Sequence, residues 1–241
     1  MDEKTFNRVE KKFLITKADK KVLLQTIKKN MKKDSYHKSG VYNIYFDTDN
    51  YDFIINSIDH PIFKEKLRAR SYEGYDKVFF EIKTKMLGHD FNVGYKRRVL
   101  VNHKDFYNIV KKKADVVDII KHNAKNGADR QIAREVDYFI KKFNQKPKIL
   151  VYYKRESYKG DNNLRITFDE NLKYRNRNLK FTKNARDKLV FKNDNNIIME
   201  IKASGSYPLW LVELLTSEHI YPQQFSKIGK VYEILRKEKH V

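Results

Sequence analysis

The chain has 241 residues, with 52 Lys and Arg against 31 Asp and Glu, for a formal net charge of +21; that length suffices for one large domain or two small ones, and that charge asks for an acidic partner. The absence of cysteine excludes disulfides, thiol catalysis and zinc–thiolate sites. No apolar run nears the roughly 18–20 residues of a membrane span, and the charged start lacks the apolar core of a signal peptide, so a soluble cytoplasmic protein is expected.

Val9–Ile15 alternates as a strand, and Thr16 then caps a helix whose Leu23, Leu24, Ile27 and Met31 share one face. Tyr42–Asp47 reads as a strand ended by the Asp49-Asn50 turn, and Tyr51–Ser57 as helical. Phe63–Ser71, Lys77–Lys85 and Val93–Val101 are three successive strands with short connections, which suits an antiparallel meander. Two amphipathic helices follow, Asp105–Lys121 and Ile132–Phe143, separated by a polar loop at Asn123–Asp129. A second block of strands comprises Lys148–Lys159, Asn163–Asp169, a short strand near Lys180–Phe181, and Ile197–Ala203, with a hairpin turn at Gly160-Asp161-Asn162. Pro208–Glu218 and Phe225–Lys237 close the chain as helices.

Two meander-like halves around a helical insertion predict an α+β fold: a closed antiparallel eight-stranded sheet with flanking helices. The whole chain, residues 1–241, reads as a single domain, with the insertion at about 104–145. Cationic residues recur on the strands at the spacing that places them on one face, as in Arg8/Lys12, Arg68/Arg70, Lys83/Lys85 and Lys96/Arg98. Arg155, Arg165 and Lys202 extend the pattern into the second block. In several of these strands the other face is apolar: Val78, Phe80 and Ile82 in one, Leu164, Ile166 and Phe168 in another. The sheet is then oily outside and basic inside, and buried unpaired cations would each cost several kcal/mol. That interior calls for water and anions.

Nine segments resemble the VTC domain, the catalytic part of the vacuolar transporter chaperone polyphosphate polymerase and a branch of the triphosphate tunnel metalloenzymes. They are Arg8-Val-Glu-Lys-Lys12-Phe, Tyr45-Phe-Asp-Thr, Leu67-Arg-Ala-Arg70, Phe80-Glu-Ile-Lys83, Lys96-Arg-Arg98, Tyr153-Lys-Arg155, Leu164-Arg-Ile, Met199-Glu-Ile-Lys202 and Phe225-Ser-Lys227, in the family's order over residues 5–235. The resemblance implies an eight-stranded β tunnel in which the γ-phosphoryl group of ATP passes to a growing inorganic polyphosphate chain, with ADP leaving. Mn²⁺ or Mg²⁺ is the implied cofactor, and Glu200 the implied metal ligand. Arg68, Arg70, Lys83, Arg155, Arg165, Lys202 and Lys227 are the implied catalytic cations. Arg8, Lys12, Lys96, Arg98, Tyr153 and Ser226 would bind the phosphates. ATP and polyphosphate are the implied partners. No nucleic acid partner and no membrane segment are expected in this chain, and a membrane partner encoded elsewhere is left open.

One departure from the family's pattern bears on chemistry. The wider superfamily opens with Glu-x-Glu-x-Lys, and Arg8 stands at the first position here. That exchange suits a polymerase with one metal better than a metal-rich triphosphatase. No Walker-type glycine loop is present, so side chains must hold the triphosphate. Triphosphate hydrolysis in the same tunnel, and a non-catalytic polyphosphate- or RNA-binding module, are the competing readings. Residue by residue, blander roles compete too. Arg68 and Arg70 could pair with nearby acids on an exposed face, and Glu81 and Glu200 could form salt bridges with Lys83 and Lys202. Glu10 reads as a partner of Arg8 and Lys12, and Asp47 and Asp169 as turn caps or cation-orienting groups. The seven histidines lack metal spacing and read as surface residues. The lysine runs Lys28–Lys33 and Lys111–Lys113 read as solvated helix faces.

Overall fold

In the computed structural model, which describes residues 8–59, 62–87, 92–123, 127–184 and 186–239, the first strand β1 (Arg8–Thr16) runs directly into helix α1 (Lys17–Asn30). Thr16 and Asp19 form a capping box, each side chain accepting the other's backbone N–H at 3.1 and 2.8 Å. The remaining elements are β2 (Lys32–Asp47), α2 (Asp52–Ile58), β3 (Phe63–Tyr72), β4 (Val78–Leu87), β5 (Asn92–Val101), α3 (His103–Val110), α4 (Val116–Asn123) and α5 (Gly127–Lys142). Then come β6 (Lys146–Lys159), β7 (Arg165–Arg175), β8 (Lys188–Leu189), β9 (Asn196–Ser204), α6 (Leu209–Ser217) and α7 (Lys227–Lys239). No helix among the described residues is long and apolar enough to cross a membrane.

The sheet is ordered β1-β9-β7-β6-β2-β3-β4-β5, with β8 beside β7. The α+β class with flanking helices is as expected. The expected closed ring is corrected: among the described residues no strand pairing joins β1 to β5, so hydrogen bonds leave the sheet open. Both end strands carry adjacent cations, Lys11-Lys12 and Lys96-Arg97-Arg98, and charged edges resist pairing.

The chain forms two compact units. One comprises Met1–Gly40, Tyr153–Lys173 and Leu189–Ser226; the other Val41–Tyr152, Tyr174–Lys188 and Lys227–Val241. In the first unit β1 pairs antiparallel with β9, and β9 with β7. Phe13, Ile15, Ile166, Phe168, Ile197, Met199 and Ile201 form the apolar face, covered by Leu23 and Ile27 of α1 and Leu211 and Leu215 of α6. In the second unit β2, β3, β4 and β5 pair antiparallel in sequence. Ile44, Leu67, Val78, Phe80, Ile82 and Val99 face Phe106, Ile109, Val116, Ile120, Val136 and Phe139 from α3, α4 and α5. Alternation then turns the charged residues of each unit to the opposite face.

Several expectations are corrected. The helix expected at Asp105–Lys121 is two. Lys112 adopts φ 57°, and Lys112 and Lys113 donate to Ile109 and Asn108 at 2.9 Å each, a Schellman-type stop. Periodicity does not register the break because Ile109 and Val116, seven apart, stay in phase on one core. The lysines follow suit: Lys111–Lys113 terminate α3, and Lys32 and Lys33 open β2 rather than extending α1. The helix α5 begins at Gly127, inside the expected loop. The short strand expected at Lys180–Phe181 is absent, because the Arg175 guanidinium supplies its hydrogen bonds. It donates to the carbonyls of Asn178, Lys180 and Thr182 and is held by Asp187 at 2.6 Å. The two-residue strand is Lys188–Leu189 instead.

The hairpin turn sits one residue later than expected, with Asn162 and Asn163 both left-handed at φ 51° and 57°. Gly160 beside it allows a close approach, since a Cβ there would meet Met31 Cγ at 3.3 Å. The histidines are not uniformly superficial. The His37 ring lies 2.9 Å from the Ser157 carbonyl, and His103 is 2.9 Å from Ser71 Oγ and stacks on Phe181. His60, His89 and His240 lie outside the described residues, as does the side chain of His122.

Candidate functional site

In the second unit, strand register arranges the charged face as cross-strand rows. Asn43, Arg70, Phe79 and Leu100 form one row; Tyr45, Arg68, Glu81 and Arg98 the next. Lys66, Lys83 and Lys96 form a third, and Lys64 and Lys85 a fourth. Among the described residues of β3, β4 and β5, eight cations thus share this face with one carboxylate, Glu81. Cations facing each other at about 5 Å repel by roughly 1–3 kcal/mol, depending on how much water intervenes. A bound anion would relieve that repulsion.

Glu81 is 1% exposed. Arg68 Nε and Nη2 each reach its Oε2 at 2.7 Å, Arg70 Nε lies at 3.7 Å, and Lys96 Nζ is 2.5 Å from Oε1. Arg70 also donates to Asn43 Oδ1 at 2.9 Å. Burial works against ionising Glu81, but Arg68, Arg70 and Lys96 outweigh it and bring its pKa from 4.5 to about 2. The Lys96 ammonium is pushed down: loss of hydration and the two guanidiniums overcome the pull of Glu81. Lys96 still keeps 43% of its side-chain surface exposed.

A carboxylate depressed from 4.5 to about 2 stabilises the fold fully above pH 4.5 and loses that contribution as pH falls toward 2. The loss is of order 3 kcal/mol. Urea midpoints measured between pH 5 and 2 should fall steeply for the wild type and more gently for Glu81→Gln. Parallel curves would show that Glu81 does not carry the acid sensitivity.

In the first unit the cluster centres on Arg155. Its Nε and Nη2 bind Asp169 in a fork at 2.6 and 2.7 Å, and Nη2 lies 3.9 Å from Glu200 Oε2. The guanidinium rests 5.3 Å above the buried ring of Tyr153. Burial opposes its charge, but Tyr153, Asp169 and Glu200 prevail and hold Arg155 more firmly protonated. Lys202 lies 3.5 Å from Glu10, and Arg165, 45% exposed, binds Asp34 at 2.9 Å. Lys12 donates to the Phe225 carbonyl at 2.8 Å.

The placement of the sequence candidates is therefore uneven. Arg68, Arg70 and Lys96 converge on Glu81, with Lys83 and Arg98 on the same face of their strands. Lys12, Tyr153, Arg155, Arg165, Glu200 and Lys202 belong to the first unit, which also ends at Ser226. Lys227 opens α7 in the second. Arg8 opens β1 opposite Ser204, and its side chain lies outside the described residues. Glu81 pairs across strands with Arg68, Arg70 and Lys96, and Glu10 with Lys202. Asp47 caps α2, accepting from the N–H groups of Thr48, Phe53 and Ile54. Sequence reasoning passed over Lys64, Lys66 and Asn43. The first two continue the Arg68/Arg70 spacing backwards along β3, and Asn43 is the polar residue interrupting an apolar strand.

No group of three or more Asp, Glu or His side chains among the described residues is placed to hold a metal ion. Across the strands Glu200 faces Thr167, whose buried hydroxyl has no hydrogen-bond partner among the described residues. One carboxylate and one hydroxyl are hard donors. They fit a Mg²⁺ or Mn²⁺ ion that takes the rest of its shell from phosphate oxygens and water.

Comparison with known families places this geometry in context. The VTC domain profile matches residues 7–236. No curated protein matches the chain. Among solved structures, a Hippeastrum protein, HpAC1, described as a candidate adenylyl cyclase with dominant triphosphatase activity, is similar at 13% identity and a TM-score of 0.54, over 92% of this chain and 93% of that one. The PH1819 protein of Pyrococcus horikoshii OT3 is similar at 12% identity and a TM-score of 0.48, over 93% and 99% of the two chains. At 13% identity the likeness to HpAC1 is one of fold.

Proposed function

The chain belongs to the VTC domain family, and from that premise we propose that it is an ATP-dependent polyphosphate polymerase. The observation that carries the reading is the charge of the second unit's sheet face, where eight cations meet one buried carboxylate. A polyphosphate chain bears about one negative charge per phosphate, and the two-residue spacing of cations repeats about every 7 Å along each strand. Arginines suit the non-bridging oxygens because the fork binds two at once. Glu81 fixes the Arg68 and Arg70 guanidiniums in place beforehand, which lowers the reorganisation needed when charge builds up during transfer.

In the reaction, the terminal oxygen of the acceptor chain attacks the γ-phosphorus of ATP. A new P–O–P bond forms as the bond to the bridging oxygen breaks, and ADP leaves with that electron pair. The acceptor oxygen is already ionised, so no general base is required. Arg68 and Arg70 neutralise the transferring group, while Lys66, Lys83, Lys96 and Lys85 hold chain phosphates. Arg155 is oriented by Asp169 and joins Lys12, Lys202 and Arg165 as the first unit's phosphate ligands. Glu200, with Thr167, would hold the divalent ion, which supplies charge neutralisation on the phosphate oxygens. Replacing Glu200 by Gln should raise the Mg²⁺ or Mn²⁺ concentration for half-maximal activity at least about tenfold, the order expected for a lost charged ligand. An unmoved midpoint would remove Glu200 from that role.

Hydrolysis of the triphosphate is the second reading, because water could replace the chain as acceptor on the same cations. The two separate in the product balance. A polymerase supplied with ATP releases ADP without matching orthophosphate, whereas a hydrolase releases the two in equal amounts.

A further inference from the structure

The basic face of the second unit has an apolar end. Phe79 lies opposite Arg70 on one side and Leu100 on the other, and the Tyr72 ring meets it edge-on at 6.4 Å. Arg98 lays its guanidinium 4.9 Å above the Phe79 ring, and both Arg98 and Leu100 are exposed. A polyphosphate has no use for an exposed leucine and two aromatic rings beside its arginines. A nucleotide does: its phosphates need cations, and its base needs a flat apolar partner. We infer that Tyr72, Phe79, Leu100 and the guanidinium of Arg98 form a shelf for the base of a nucleoside triphosphate whose phosphates reach Arg70 and Arg68.

The inference rests on the proposed donor role of ATP and adds the orientation of that donor. The base stacks on the planar Arg98–Phe79 pair, as bases stack on guanidinium and aromatic faces elsewhere. The phosphates run from the Phe79 row toward the rows of Lys66, Lys83 and Lys96, one strand period of about 7 Å at a time. Recognition here is by stacking, so purines, with the larger face, bind better than pyrimidines.

Calorimetric titration of the purified chain with ATP and with inorganic tripolyphosphate, each with Mg²⁺, tests this. Tripolyphosphate carries at least as much charge, so charge alone favours it or makes the two equal. The shelf predicts that ATP binds more tightly. Phe79→Ala should weaken ATP about tenfold, within the range for losing one stacked base, and leave tripolyphosphate within about twofold. Leu100→Ser, at an exposed position, should act in the same direction and guards against a folding defect in the first variant. Equal affinity for the two ligands, or equal losses for both in the variants, would overturn the shelf while leaving the polymerase reading intact. Failure of both ligands to bind the wild type would overturn the two together.

Discussion

Replacing Arg68 by alanine should lower the rate of ADP formation by about 10²–10³-fold, the usual cost of removing one preorganised donor from a developing anionic centre. Arg68 holds Glu81 through two of its nitrogens at 2.7 Å and sits at the middle of the cationic rows. Arg70 and Lys96 remain beside Glu81 in the variant, so the carboxylate keeps partners and the far-ultraviolet circular dichroism should not change. Arg68→Lys should recover little, because an ammonium cannot reproduce the fork. Activity within about fivefold of wild type in Arg68→Ala would move the reacting phosphate away from this row.

The largest effect on stability belongs to Arg155. Asp169 is fully buried and takes both arms of the guanidinium, and the Glu200 side chain is 9% exposed. Arg155→Met takes the guanidinium away from two buried carboxylates, and breaking a buried pair in this way costs about 3–5 kcal/mol. For a chain of this size that is a fall of roughly 10 °C in Tm. The double variant Arg155→Met/Asp169→Leu should recover most of the loss, because it removes the buried carboxylate together with the guanidinium that binds it. A surface pair would be worth at most about 1 kcal/mol, so a shift of only a degree or two for the single variant would contradict the buried geometry.

Strand alternation was legible from the sequence because each core strand places its large apolar residues two apart. Phe80 and Ile82 point into the core and Glu81 and Lys83 away from it, just as the pattern requires. What alternation could not convey is charge balance. Glu81 is one letter among basic neighbours, and only the register shows three cations from two other strands closing on its carboxylate. Asp169 is similar: its partner Arg155 lies fourteen residues away, on the neighbouring strand. The first half of β2 was missed because Lys32, Lys33, Lys38 and Tyr36 are exposed and carry no apolar stripe. Likewise the Lys180–Phe181 segment combines a buried aromatic with strand-like neighbours, yet its carbonyls are taken by Arg175. Side-chain substitution for backbone pairing leaves no periodic trace.

The half-burial of two histidines was also invisible locally. His37 and His103 owe their positions to Ser157 and Ser71, partners far away in sequence. The nine family segments, by contrast, were readable in order, because recognition by a profile needs identity and spacing rather than contacts.

The most direct test of the central claim is to incubate the purified chain with ATP and Mn²⁺ and resolve the products on a gel stained for polyphosphate. The account predicts a ladder of lengthening polymer that is absent from Arg68→Ala. A lane containing orthophosphate and no polymer, across Mg²⁺ and Mn²⁺ alike, would contradict it.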